Sequence, residues 1–216
     1  MLRLYLENEI IELSNNLETI WVSVLDKYVL NEEQVYNPAP LKTAELIKED
    51  LIINESVLNI DKKGFELICL QHPVSYDLRR IISVIKISTD IERIGDRIVE
   101  ILKNLQIIQN NENLKKIISE IKILHEVIGL HMNRAISCYR EEQPGCLDMV
   151  VIQKQNEIEE LSINMEKKIM NYIFEDDVNV SEVIGALDII HHLDKIAHTT
   201  QSIYKWIMYR KYGNIN

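Results

Sequence analysis

Apolar side chains recur at three- and four-residue steps along almost the entire chain, and the period-two alternation of strands is scarce. The first such stripe, Ile10, Leu13, Leu17, Ile20, Val24 and Leu25, predicts an amphipathic helix from about Leu2 to Leu30. Asn37-Pro38-Ala39-Pro40 ends the next loop. A second helix is expected from Leu41 to Gln71, where His72-Pro73 stops it because the residue before proline avoids the helical region. Pro73 suits the first turn of a third helix reaching Ile108, with Asp77 near its positive end. After a polar break at Asn110-Asn111-Glu112-Asn113, a fourth helix runs from Leu114 to Glu142 and ends at Pro144-Gly145. A fifth follows from Leu147 to Phe174, and a sixth from Ser181 to Tyr212 after the acidic loop Glu175-Asp176-Asp177-Val178-Asn179. The fold class is therefore all-α, with six long helices.

One phrase within these helices occurs twice. D-I-E-R-I-G-D at Asp90–Asp96 and H-L-D-K-I-A-H at His192–His198 stand 102 residues apart. The same shift aligns Leu78 with Val180, Ile81 with Val183, Ile85 with Leu187, Ile94 with Ile196 and Ile101 with Ile203. Helices two and five repeat at a shift of 105, which pairs Ile53-Asn54 with Ile158-Glu159, Leu58 with Ile163, and Lys62-Lys63 with Lys167-Lys168. Helices one and four share periodicity without convincing identities. A duplication at half the chain length predicts two tandem, pseudo-symmetric three-helix bundles, 1–110 and 111–216, divided at the polar break.

Charge narrows the partners. Twenty-four basic residues against 34 acidic ones give a net charge of −10, which argues against nucleic acid or an anionic membrane and favours cations and basic protein surfaces. Cys69, Cys138 and Cys146 form no C-x-x-C pair, so buried thiols in a reducing compartment are expected. Charge interrupts the N-terminal segment too early for a secretory signal, and no apolar run approaches the roughly 20 residues that span a bilayer. A cytoplasmic protein that meets membranes only through partners is the expectation.

The repeated phrase also carries the candidate chemistry. Glu92 and Asp96 are like charges four residues apart, an arrangement that costs an isolated helix about 0.2–0.5 kcal/mol. Arg93 and Arg97 offset part of this, and a solvated charged face is the bland alternative. Helix two offers Asp50 and Asn54 at the same step, helix five Gln155 and Glu159, and helix six Asp194 and His198. If neighbouring antiparallel helices align these steps, each bundle gathers four side chains suited to iron, manganese, magnesium or zinc. The imidazole and fewer carboxylates of the second half favour zinc, iron or nickel and predict a weaker or more selective site. Of His191 and His192, one is expected at the surface and one in packing. Asp77 is expected to pair locally with Arg79 or Arg80, and Trp21 and Trp206 to pack in a core or interface.

The stretch from Gln71 to Ile101, Q-H-P-V-S-Y-D-L-R followed by D-I-E-R-I-G-D, resembles the PhoU family of phosphate-signalling regulators. The family motif pairs a Q-x-P-x-x-x-D-L-R segment with a downstream L-E-R-I-G-D, and Asp50-x-x-Ile53-Asn54 resembles its helix-two pattern. The resemblance implies two three-helix bundles, each with an acidic E(D)-x-x-x-D signature that binds metal in multinuclear clusters. It further implies restraint of phosphate uptake and of phosphate-starvation signalling through the phosphate-transporter ATPase and a phosphate-sensing histidine kinase, by a homodimer or higher oligomer. Glu92 and Asp96 match the helix-three motif and Asp50 the first helix-two position, whereas Asn54 offers only a neutral carbonyl. In the second half Glu159 and Asp194 keep their acids, while Gln155 and His198 replace them.

A di-iron carboxylate oxidoreductase is the enzymatic alternative. Its Glu-x-x-His pair is missing: only Asp188 is acidic among the residues three before each histidine. A histidine phosphotransfer module lacks a histidine in a recognisable setting, and no Ser-His-Asp spacing, phosphate-cradling glycine loop or cysteine nucleophile motif is present. The sequence reads as a regulatory binding protein with no catalytic residues, not an enzyme.

Overall fold

The computed structural model describes residues 2–36, 40–108, 112–141, 149–172, 174 and 179–213. Six helices occupy nearly all of them: α1 (Leu2–Tyr36), α2 (Pro40–Gln71), α3 (Ser75–Ile108), α4 (Glu112–Glu141), α5 (Met149–Tyr172) and α6 (Val180–Tyr212). The helix ends agree with the apolar periodicity to within a few residues, and the larger departures are at α1 and α3. α1 continues six residues past Leu30, and α3 begins at Ser75, so Pro73 stands in the connection instead of the first helical turn. His72 and Ser75 there adopt φ of 47°, which ends one helix and reverses the chain into the next. Glu112 and Asn113, read as part of a break, open α4. The rest of that break, the Pro144-Gly145 stop, Cys146 and loop residues 175–178 lie outside the described residues.

Helices α1 and α2 pack on α3, and α4 and α5 pack on α6, giving two three-helix groups. The most extensive helix contact of all joins the groups: α3 against α6. These two run antiparallel, because the Ser83 hydroxyl meets the Trp206 carbonyl at 3.2 Å, Asp90 meets Ser202 at 2.8 Å, and Gly185 lies against Ile108. The buried apolar side chains of all six helices form one continuous cluster. α1 and α4 add a second seam, where Trp21 packs against Tyr139, Tyr28 stacks on His125, and Arg140 pairs with Glu18 at 2.8 Å.

Local chemistry fixes the ends of α6. The Asn179 side chain accepts the Ser181 amide at 3.1 Å, and Gly213, at a φ of 79°, closes the helix through its amide to the Tyr209 carbonyl. At the start of α3, Arg80 reaches across to α1, donating to both Glu7 carboxylate oxygens at 2.8 and 3.0 Å, while the expected local partner Asp77 lies 3.9 Å away. Trp21 is fully buried and Trp206 partly so. Cys138 is buried as expected, but Cys69 is exposed on the outer face of α2. No helix among the described residues is long and apolar enough to cross a membrane.

Candidate functional site

In the first half, Asp50 on α2 comes against Glu92 and Asp96 on α3 because the helices approach closely at Gly95. A β-carbon there would stand 3.1 Å from Asp50 Oδ1, so glycine within the R-I-G-D phrase leaves room for the carboxylate. The acids feel one another. Burial first, then the Asp96, Asp61 and Asp50 carboxylates, hold the Glu92 carboxyl above the usual range. Burial and Asp50 raise Asp96 as well, while Arg97 and Lys27 pull it back. Asn54 Oδ1 and Asp61 Oδ1 are buried without a hydrogen-bond partner.

A residue not anticipated from the sequence enters this group. Lys27 of α1 is 2% exposed, and its Nζ donates to Asp50 Oδ1 at 2.5 Å. It continues the core stripe of α1, one step of three residues after Val24, so the helix delivers an ammonium where it had been delivering methyl groups. Extending the same steps reaches Asn31 and Gln34, both buried, and Asn31 Nδ2 donates to the Ile98 carbonyl of α3 at 3.3 Å. His192 of α6 is also near the acids. With Asp50, Arg93, Asp96, Arg97 and Lys103 it lines a cleft of about 610 Å³, and its Nδ1 has no hydrogen-bond partner. Burial, Arg97 and His191 hold this imidazole below its ordinary range. His191 is at the surface.

The second half assembles a different set. His198 Nε2 lies 3.6 Å from Asp194 Oδ2 on its own helix and 3.8 Å from Glu159 Oε1 on α5. Gln155, 3% exposed, places Nε2 at 3.3 Å from Glu159 Oε1 and 3.4 Å from His198 Nδ1, and its Oε1 is unpartnered. No lysine or arginine among the described residues pairs with Glu159 or Asp194. Acid, amide and imidazole thus share one small, half-exposed space between α5 and α6.

The two halves differ in their fit to the metal that the resemblance implies. Among the described residues no group of three or more His, Cys, Asp or Glu side chains is drawn together tightly enough to hold an ion. In the first half the cause is visible: Asp50 is committed to an ammonium and Asn54 is neutral, so that set does not fit a metal. In the second half no lysine or arginine among the described residues pairs with the acids, an amide oxygen is unsatisfied, and an imidazole stands less than 4 Å from both carboxylates; these side chains are not gathered tightly around one point either, but their chemistry suits a metal.

Two buried histidines and the spacing of the acids count against the alternatives. His125 and His131 are buried to 1% and 3% exposure, inaccessible to a phosphotransfer partner, and no Glu-x-x-His pair is present.

Comparison with known families decides the kinship. The family model described as the PhoU domain matches twice, over residues 35–105 and 121–207. The chain belongs to the PhoU family. The matches cover α2–α3 and most of α4–α6, so the duplication read from D-I-E-R-I-G-D is a repeat of the PhoU domain. The phosphate-specific transport system accessory protein PhoU homologue of Clostridium acetobutylicum is 27% identical over 90% of this chain and 92% of its own length. Homologue 1 of Methanothermobacter thermautotrophicus is 20% identical over 93% and 91%. The crystal structure of the phosphate transport system regulatory protein PhoU from Streptococcus pneumoniae shares the fold, with a TM-score of 0.86 at 20% identity over 98% of this chain and 99% of that one. PhoU from Pseudomonas aeruginosa gives the same TM-score over 96% and 99%.

Proposed function

We propose that this chain is a cytoplasmic regulator that restrains phosphate uptake and phosphate-starvation signalling by binding other proteins. The observation that carries this reading is the double PhoU match spanning the helical core, joined to relatives described as accessory proteins of phosphate-specific transport. Its partners are the phosphate-transporter ATPase and a phosphate-sensing histidine kinase, approached as a homodimer or higher oligomer. A net charge of −10 favours basic surfaces on those partners and fast, salt-dependent association. The chain's own chemistry is recognition, not turnover.

Glu159, Asp194 and His198, with Gln155 beside them, would hold a zinc, iron or manganese ion. The ion would supply positive charge to two acids that lack it and tie α5 to α6. Asp194→Ala with His198→Ala should then lower bound metal without loss of helix content.

Deletion in the source organism tests the main reading. Phosphate-starvation genes should be derepressed or phosphate uptake raised, and a pull-down with the intact protein should recover the kinase or the transporter ATPase. Normal phosphate regulation in a deletion strain lacking any paralogue would overturn the assignment.

A further inference from the structure

We propose that Lys27 is a tethered cation that takes Asp50 out of the metal-ligand set, so that the first half of this chain satisfies its acids from within. The observations are geometric. An ammonium that is 2% exposed sits 2.5 Å from the carboxylate of a residue 8% exposed, on a helix that contributes nothing to the repeated acidic motif. A buried lysine needs a charged partner, and Asp50 is the partner it has. The carboxylate is then held by the hydrogen bond from Lys27 and by the close backbone approach at Gly95. The solvent cleft beyond it is lined by Asp50, Asp96 and Glu100 together with Arg93, Arg97, Lys103 and His192, so the carboxylates there face further cationic side chains of this same chain.

Among the described residues, no lysine or arginine pairs with Glu159 or Asp194 in the second half. Its acids meet an imidazole, whose ring nitrogen ligates metals. The duplication has therefore diverged into one half with a built-in positive charge and one half open to an external one. Asp96 also senses the Lys27 charge, so the ammonium screens the group beyond its direct partner. A divalent ion entering beside Asp50 would meet both the loss of a ligand and the repulsion of a fixed positive charge at close range.

The test counts ions in the full-length chain after the second half has been disabled by Asp194→Ala with His198→Ala. Into that background go Lys27→Met, which frees Asp50, and Lys27→Met with Asp50→Asn, a neutral pair of nearly the same shape. Manganese and zinc binding are measured by titration calorimetry and by elemental analysis after gel filtration, and the thermal midpoint is read with and without each ion. Lys27→Met should bind manganese or zinc at least about tenfold more tightly than its background and be stabilised by the ion. The neutral pair should bind no better than the background and gain no stability from metal. If Lys27→Met folds only when an ion is supplied, that too supports the proposal. Two results overturn it: a background that already binds as tightly as Lys27→Met, or a Lys27→Met chain whose affinity is unchanged or that stays unfolded with metal while the neutral pair folds.

Discussion

His125 carries an imidazole too deeply buried to take a proton readily, and this makes the seam between α1 and α4 sensitive to acid. Its ring stacks on Tyr28 with centroids 3.9 Å apart, and its Nε2 meets Asn31 Oδ1 at 3.2 Å. The Tyr28 hydroxyl donates to the His125 carbonyl at 2.9 Å. Glu32 lies 3.7 Å from Nδ1, yet burial outweighs that carboxylate and lowers the imidazole to about 3, so the contact is not an ion pair at neutral pH. Below pH 6.5 the unfolded chain takes up a proton that the folded chain refuses until about pH 3. Stability from this residue is full above pH 6.5 and is lost as pH falls toward 3, at no more than about 1.4 kcal/mol per pH unit. Urea titrations from pH 7 to 4 should show that slope in the native chain, and His125→Gln should flatten the difference. Gly95 gives a second test of fit. Gly95→Ala gains about 1 kcal/mol of helix propensity but crowds Asp50 Oδ1 at 3.1 Å, an overpacking cost of about 1–3 kcal/mol. A net loss of up to about 2 kcal/mol is expected, read as a lower denaturation midpoint with an unchanged slope.

How much of each helix was legible depended on whether the repeat covered it. The third and sixth helices were read closely because two copies of one phrase constrained each other. The first helix had no matching copy. Its heptad steps were followed only as far as Leu25, although the same steps continue through Lys27, Asn31 and Gln34 to the end of the helix. A charged residue on a core stripe was the available signal, and composition alone hid it, since lysine is rarely buried unless paired. His192 was hidden for another reason: its place beside Asp50 and Asp96 depends on how α6 crosses α3, a tertiary contact no local pattern encodes. That crossing is itself testable. Asp90, 3% exposed, accepts from Ser202 at 2.8 Å and from Arg93 at 3.0 Å, and burial raises its carboxyl against both donors. Ser202→Ala removes a hydrogen bond to a charged group and should cost about 1.5–3 kcal/mol. Ser181→Ala, far from that crossing, is the control that should stay close to native stability by the same denaturant titration.

Two PhoU repeats need not be two folding units, and the packing argues that here they are one. The division near residue 110 separates the halves in sequence, but α3 finds its most extensive partner in α6, across that division. Ile87, Ile91, Ile94 and Ile98 are at most 1% exposed only because every surrounding helix is present. A fragment of residues 1–110 would keep the α1 and α2 contacts of α3, together with the Lys27–Asp50 pair, so it should remain largely helical. It would lose Ser202 as a donor to the buried Asp90, the Trp206 carbonyl as a partner for Ser83, and the apolar cover that α6 lays over α3. Uncovered apolar surface of that extent drives association. The fragment should therefore show a helical circular dichroism spectrum, sediment as dimers or larger species, and unfold at lower urea than the intact chain. The intact chain should unfold in one transition seen alike by circular dichroism and by tryptophan fluorescence, since Trp21 and Trp206 report from opposite halves. A monomeric fragment as stable as the full chain, or two separated transitions in the full chain, would instead make the α3–α6 contact a docking surface between independent domains.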